Sequence, residues 1–195
     1  MTDNPDFTPT SRPALAPGVV LRLAGQTGQY LRLTHIFHSC VYGMTVSTPE
    51  NARYAKRPAK YSLEELNKLS NQPGASWGKL PLPQELSGGY APGSAKEITV
   101  ERNWAIISPL VTAFESERNL SRQAFTQQLL RHAEVAQIAL RSLHRLLYRY
   151  YYFGCTKAAL LPLSSGPGPI ENPLSTQSRK LRQNKRVGRG VCQGS

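Results

Sequence analysis

The chain has 195 residues, of which 39% are hydrophobic, and its 15 glycines and 15 prolines leave a small apolar core for that length. Its 24 lysines and arginines outnumber 12 acidic residues, for a formal net charge of +12. No apolar run reaches the roughly 20 residues that cross a bilayer, the polar N-terminus does not look like a signal peptide, and the three distant cysteines do not suggest disulfides. We expect small folded units in a cytoplasmic, nucleoid-associated protein that binds polyanions and not membranes.

The positive charge is concentrated towards the C-terminus. Residues 141–195 contain ten basic side chains and one acidic side chain, Glu171, so they carry nine of the twelve excess charges. Such a one-signed run, which begins on a helix and continues into a polar segment, is typical of a protein that follows a phosphate backbone.

The N-terminal quarter predicts a small β-structure. Residues 1–17 are polar and proline-containing, and we interpret them as a disordered lead. Three short apolar or alternating runs, at 18–24, 29–36 and 38–46, predict a meander of strands, so that 18–47 forms a β-subdomain of SH3-like size.

Residues 48–95 are expected to be a linker with one short helix. Ser62 and Glu65 have the spacing of a capping box and predict a helix over 62–69. The nine glycines and prolines within 71–94 predict an irregular segment there.

The strongest helical pattern lies in residues 96–162. Thr99 is the predicted cap of a first helix bent at Pro109, and Ser121 is the predicted cap of a second. A third helix is predicted from about Ala139 to Phe153, ended by Gly154. We therefore expect an α+β protein in which a trihelical domain follows the β-meander, and in which residues 163–195 form a flexible, disordered basic tail.

The spacing of the last two helices favours a helix-turn-helix that binds double-stranded DNA. On the third helix, leucines and Tyr150 recur at core spacing, whereas Arg141, Ser142 and Arg145 project from the other side and are the candidate base-reading residues. Tyr148, Tyr151 and Tyr152 follow, where phosphate contact is expected. The candidate phosphate contacts are Arg149, Lys157, Arg179, Lys180, Arg182, Lys185, Arg186 and Arg189.

Two bland alternatives stay open for these helices. They could be a plain three-helix bundle with a solvated arginine face, in which the arginines read no DNA. The tyrosine run 148–153 could instead stack on single-stranded nucleic acid, although core and groove-rim positions suit it better. Ala139 is also a weak N-cap, which costs about 1 kcal/mol relative to serine or threonine.

Several stretches together resemble a known family. A bent helix with Trp104 and Pro109 precedes the helix-turn-helix pattern, and the third helix ends in an aromatic-rich run up to Gly154. Ala159-Leu-Leu-Pro162 and Lys185-Arg-Val-Gly-Arg189 follow. This order is similar to the N-terminal third of TnsB-type transposases, relatives of Mu transposase and the retroviral integrases, and the best match covers 104–162.

The resemblance implies binding to the repeats at transposon ends, with Arg141, Ser142, Arg145 and Arg149 on the DNA, and contacts with other transposition proteins. Strand transfer in that family requires three carboxylates that hold two divalent metals. After Glu134 the sequence has one carboxylate, so we expect a truncated or stand-alone end-binding module that is not itself an enzyme and holds no metal or cofactor.

The sequence gives only weak signals for a metal site or a catalytic cysteine. His35, His38 and Cys40 could offer metal ligands, but on an extended run the two histidines point to opposite faces, which favours a structural role. Cys155 and Cys192 lack the partners of a catalytic cysteine.

Two other functions use the same features. A helix-turn-helix repressor, or a competitor of a full-length transposase, would use the same helix. An RNA-binding or assembly protein would depend on the basic tail instead.

Overall fold

The computed structural model describes residues 7–26 and 28–161 as an α+β fold. The six strands are β1 (Thr8–Pro9), β2 (Val20–Arg22), β3 (Tyr30–Ile36), β4 (Cys40–Val46), β5 (Ala59–Ser62) and β6 (Ser76–Lys79). The five α-helices are α1 (Leu63–Ser70), α2 (Gln84–Ser87), α3 (Ala95–Ala113), α4 (Arg122–Val135) and α5 (Leu140–Tyr152). Short 3₁₀ helices lie at Pro49–Tyr54, Glu117–Leu120 and Lys157–Leu160. The predicted basic tail, 163–195, lies outside the described residues.

The six strands form one antiparallel sheet in the order β1-β6-β2-β3-β4-β5. The predicted meander is confirmed for β2, β3 and β4, which pair consecutively, with Leu21 opposite Leu31 and Leu33 opposite Gly43. The sheet is nevertheless twice the size of the predicted three-stranded subdomain.

The added strands come from segments that the sequence predicted to be irregular. β1 lies within the predicted disordered lead, and β5, β6 and α2 lie within the predicted linker, so the prediction of an irregular 71–94 is wrong for β6 and α2. Gly78 shows why a glycine-rich segment can pair here. A Cβ at Gly78 would overlap the ring of Phe7 and the Thr8 carbonyl, so glycine allows β1 to lie against β6.

Each face of the sheet is covered by a different layer. One face carries Leu21, Leu31, Leu33 and Val41, which pack with Leu66 of α1 in a buried apolar cluster. Burial of these side chains is the main source of stability for this half of the fold.

The opposite face of the sheet is covered by α5. The buried Arg32 of β3 donates hydrogen bonds to the Tyr152 carbonyl at 2.6 Å and to the Leu80 carbonyl at 2.9 Å. The Tyr152 hydroxyl accepts from the Ser47 amide at 2.8 Å and donates to the Thr48 carbonyl at 2.9 Å. The described part of the chain accordingly belongs to one compact unit, whereas the sequence predicted a β-subdomain and a helical domain joined by a linker.

Two glycines meet where the sheet joins the end of α5. Gly18 and Gly154 both have left-handed backbones, with φ of +90° and +89°. A Cβ on Gly18 would lie 3.3 Å from the Gly154 carbonyl oxygen, and a Cβ on Gly154 would lie 3.4 Å from the Arg32 guanidinium. The close approach of the two segments therefore favours glycine at both positions.

The helix caps follow the sequence with one exception. Ser62 and Glu65 form the predicted capping box of α1, and the Ser121 hydroxyl accepts from the Ala124 amide at the start of α4. The predicted Thr99 cap is wrong, because α3 begins a turn earlier, with Ser94 accepting from the Glu97 amide. The Thr99 hydroxyl instead donates to the Ala95 carbonyl within the helix.

Across 7–26 and 28–161, no helix combines the length and apolar composition that crossing a bilayer requires.

Candidate nucleic-acid interface

α3, α4 and α5 pack on one another around an aromatic and aliphatic core. The rings of Phe114 and Phe125 stack with their centroids 4.4 Å apart, and the Trp104 and Tyr150 rings lie 5.6 Å apart. This core holds α5 against two companion helices and, among the residues that the structure describes, leaves one side of its first two turns exposed.

A tight turn, Ala136–Ala139, joins α4 to α5. Gln137 adopts a left-handed backbone with a φ of +51°, its amide donates to the Glu134 carbonyl at 3.3 Å, and the Ile138 amide donates to the Ala133 carbonyl at 3.0 Å. These two bonds form a Schellman motif, which satisfies carbonyls at the end of α4. Sequence reasoning missed Gln137 because glycine usually holds this position.

α5 begins without a side-chain cap, as the sequence indicated. Ala139 occupies the N-cap position with an extended backbone, and no side chain accepts the free amides of the first turn. The helix ends after Tyr152, and Gly154 follows with its left-handed backbone, so both predicted ends are confirmed.

The two faces of α5 differ sharply. Leu143 and Leu147 are 0% exposed, whereas the three predicted base-reading residues, Arg141, Ser142 and Arg145, are exposed on the first two turns. Neither guanidinium makes a hydrogen bond or an ion pair with the residues that the structure describes. We call these three residues the arginine face.

Arg149, a predicted phosphate contact, makes a hydrogen bond within the protein. Its guanidinium donates a hydrogen bond to the Leu161 carbonyl and lies 6.0 Å from the centroid of the Phe153 ring. Burial, and secondarily the charge of Arg145, lowers the pKa of Arg149 to about 10. Arg149 therefore links α5 to the segment that follows it, through Leu161, and its side chain does not project outward with the arginine face.

Lys157, another predicted phosphate contact, is paired within the protein. Its ammonium lies 3.0 Å from a Glu101 carboxylate oxygen and 5.4 Å from the centroid of the Trp104 ring. Both partners of this ion pair are about half exposed, and such pairs contribute only about 0–1 kcal/mol. The remaining predicted phosphate contacts, Arg179, Lys180, Arg182, Lys185, Arg186 and Arg189, lie outside the described residues.

The tyrosines at the end of α5 pack in the protein interior. Tyr151 is 1% exposed and Tyr152 is 4% exposed, which corrects their predicted contact with phosphates. The physical reason is the sheet, which covers this end of the helix. Tyr148 is half-buried and stacks on His144 at 5.4 Å.

Sequence reasoning also missed Arg57, which lies between the sheet and α4. Its guanidinium donates to the Leu120 carbonyl at 3.0 Å and sits 5.7 Å from the centroid of the Phe125 ring. No local pattern signals this contact, because Arg57 and Leu120 are 63 positions apart. Arg57 lines a groove with Lys60, Arg118 and Arg122, which we call the basic groove.

The histidine and cysteine positions lie at or near the sheet. His35 is buried with its ring 5.0 Å from that of Tyr151, and burial lowers its pKa to about 4, so it is neutral at physiological pH. The Cys40 thiol donates to a Glu117 carboxylate oxygen at 3.2 Å. Burial raises the pKa of Cys155 to about 11, which disfavours its thiolate.

No group of three or more histidine, cysteine or acidic side chains within the described residues has the arrangement of a metal site. Cys192 lies outside the part of the chain that the structure describes.

Comparison with known proteins returned no family model that matches the sequence, and no curated protein matches it.

Proposed function

We propose that this chain binds double-stranded DNA, with α4, the turn and α5 acting as a helix-turn-helix and α5 lying in the major groove. The proposed targets are the end repeats of a transposon, which the chain recognises as an end-binding module of a TnsB-like transposase. Strand transfer is not part of the proposed role of these residues.

The observation that carries the proposal is the arginine face on the first two turns of α5. A recognition helix uses residues near its start to reach base edges, and bidentate arginine–guanine contacts are the commonest specific ones. Arg141 and Arg145 are exposed there and are not committed to any described protein group. Their four-residue spacing places both guanidinium groups on one side of the helix.

The charge of the chain supports the same function. Because a phosphate backbone attracts cations whatever its base sequence, a net charge of +12 favours association with duplex DNA. The concentration of this charge in 141–195 adds general affinity close to the arginine face in sequence.

Binding to selected duplexes tests the proposal. Sites would be enriched from a random duplex pool with the full chain, and Arg141→Ala and Arg145→Ala would then be compared with the wild type. Each lost bidentate contact should reduce discrimination between enriched and random duplex by about 5- to 150-fold, equivalent to about 1–3 kcal/mol. Arg182→Ala and Lys185→Ala should weaken binding to both kinds of duplex alike.

Arg102→Ala is the matched control, because Arg102 is exposed on α3. Its discrimination should equal that of the wild type. Equal weakening of enriched and random duplex by all four variants would refute the assigned roles. Loss of nucleic-acid binding on deletion of residues 178–195, with no effect of the α5 substitutions, would favour the RNA-binding or assembly alternative.

A further inference from the structure

The basic groove lies where the sheet meets the start of α4. Arg57 and Lys60 come from the sheet side, whereas Arg118 and Arg122 flank the N-terminus of α4. Glu117 is the one acidic side chain among the groove residues, so the described lining carries a net charge of +3. A concave surface of one charge sign focuses the field on an anion.

Most of this charge is accessible to a ligand. Arg118 and Arg122 are exposed, and neither makes a hydrogen bond or an ion pair with a described residue through its guanidinium. Arg57 uses one guanidinium nitrogen on the Leu120 carbonyl, which leaves further donors on the same group. Lys60 is paired with Glu117 at 2.8 Å, but this pair is exposed and weak.

A row of aromatic rings connects the basic groove to the arginine face. The Arg57 guanidinium lies over Phe125, whose ring stacks on Tyr148 with a centroid distance of 6.3 Å. Tyr148 in turn stacks on His144, the residue before Arg145. Successive side-chain contacts therefore connect the groove to the residue that precedes Arg145.

A helix-turn-helix on DNA also requires phosphate contacts from residues around α5. Arg149, which the sequence placed on phosphates, donates a hydrogen bond to the Leu161 carbonyl, and its guanidinium is partly buried. A helix in the major groove requires flanking contacts to the backbone that fix its orientation. Within the described residues, the basic groove is a cluster of cationic side chains that the row of aromatic rings connects to the arginine face.

We propose that the basic groove binds the phosphate backbone of the same duplex whose bases the arginine face reads. The edge strand β5, through Lys60, and the loop before it, through Arg57, thereby become part of the DNA interface. Arg118 and Arg122 supply the strongest phosphate contacts because their guanidinium groups have no partner among the described residues, and Arg57 adds a donor beside them. This inference rests on the proposed function of α5.

The salt dependence of duplex binding tests the inference. The double variant Arg118→Gln/Arg122→Gln should weaken enriched and random duplex alike, by about tenfold or more at moderate salt. Its log–log salt slope should be shallower by about 2, because each lost phosphate contact removes roughly 0.9 from the slope. Discrimination between the two duplexes should be unchanged.

Arg102→Gln/Arg131→Gln is the matched control. It removes the same charge from two exposed arginines that do not line the groove, and Arg131 lies nine residues from Arg122, on the opposite side of α4. Its salt slope should equal that of the wild type. An equal change in both double variants would indicate a general charge effect and would overturn the inference.

Two further outcomes separate this inference from the proposed function. An unchanged slope in the groove variant, with lost discrimination in Arg141→Ala, would overturn the groove contact and leave the function of α5 standing. Absence of duplex binding by the wild-type chain would overturn both. Phosphate ethylation interference can be measured with the wild-type chain and needs no substitution. Interference confined to the phosphates next to the bases that α5 contacts would also overturn the groove contact.

Discussion

Arg32 and His35 are polar side chains on the sheet face that α5 covers, and both are almost fully buried. In sequence, Arg32 stands between two leucines of an alternating strand, a pattern that predicts a solvent-facing side chain. It is buried instead because the Tyr152 carbonyl, 120 positions away, accepts its hydrogen bond. A local pattern carries no information about a partner so distant in sequence, so neither this contact nor that of Arg57 could be predicted.

His35 makes folding sensitive to pH. Burial lowers its pKa from 6.5 to about 4, so the unfolded chain binds the proton more readily than the folded chain. The contribution of neutral, buried His35 to the free energy of unfolding is complete above pH 6.5, and it is lost as the pH falls towards 4. We expect the free energy of unfolding, measured with urea, to be about 2 kcal/mol lower at pH 5 than at pH 7 from this residue.

His35→Gln should remove most of this decrease, because glutamine does not titrate. His38→Gln is the control, since His38 is exposed three positions along the same segment and should leave the decrease intact. A His35→Gln variant with the full wild-type decrease would show that another group is responsible.

At the scale of elements, α5 was predictable from local signals and its surroundings were not. The leucine spacing placed its buried face and Gly154 placed its end, since each depends on residues within the helix or beside it. The orientation of the Arg149 side chain depends on its hydrogen bond to Leu161. The number of strands in the sheet depends on the pairing of β1, β5 and β6 with strands distant in sequence. Long-range pairing of this kind outweighed the high glycine and proline content of 71–94.

The start of α5 offers a stabilising substitution. Ala139 has the extended backbone of an N-cap, but its side chain accepts no hydrogen bond. A serine there could accept from an amide of the first turn, so Ala139→Ser should raise the free energy of unfolding by about 1 kcal/mol. Chemical denaturation measures this gain.

Ala105→Ser is the control for that gain. Ala105 is exposed in the interior of α3, where serine caps nothing and has a lower helix propensity. It should leave the stability unchanged or slightly lower. An equal effect of both serines would argue against capping at Ala139.

At the scale of the whole molecule, the described helices and sheet stabilise each other. Tyr151 and Tyr152 are buried against strands, and Arg32 fixes the end of α5. An excised 96–162 fragment would expose these side chains and lose those bonds. We therefore expect it to lack a cooperative thermal transition by circular dichroism.

A chain of residues 1–162 is the matched comparison, because it retains the whole compact unit. It should unfold in a single transition, with the same midpoint from tryptophan fluorescence and from circular dichroism. A cooperative transition in the 96–162 fragment alone would show that the helices fold independently of the sheet.

The contact between Gly18 and Gly154 has a consequence for biosynthesis. A ribosome releases the first strands long before the segment that ends at Gly154, so the uncovered sheet face must wait for its helical cover. Contacts between such distant parts of a chain form slowly, and waiting apolar surface is prone to aggregate. The fold is therefore completed only after the segment that ends at Gly154 has left the ribosome, and until then the sheet face that α5 covers stays exposed.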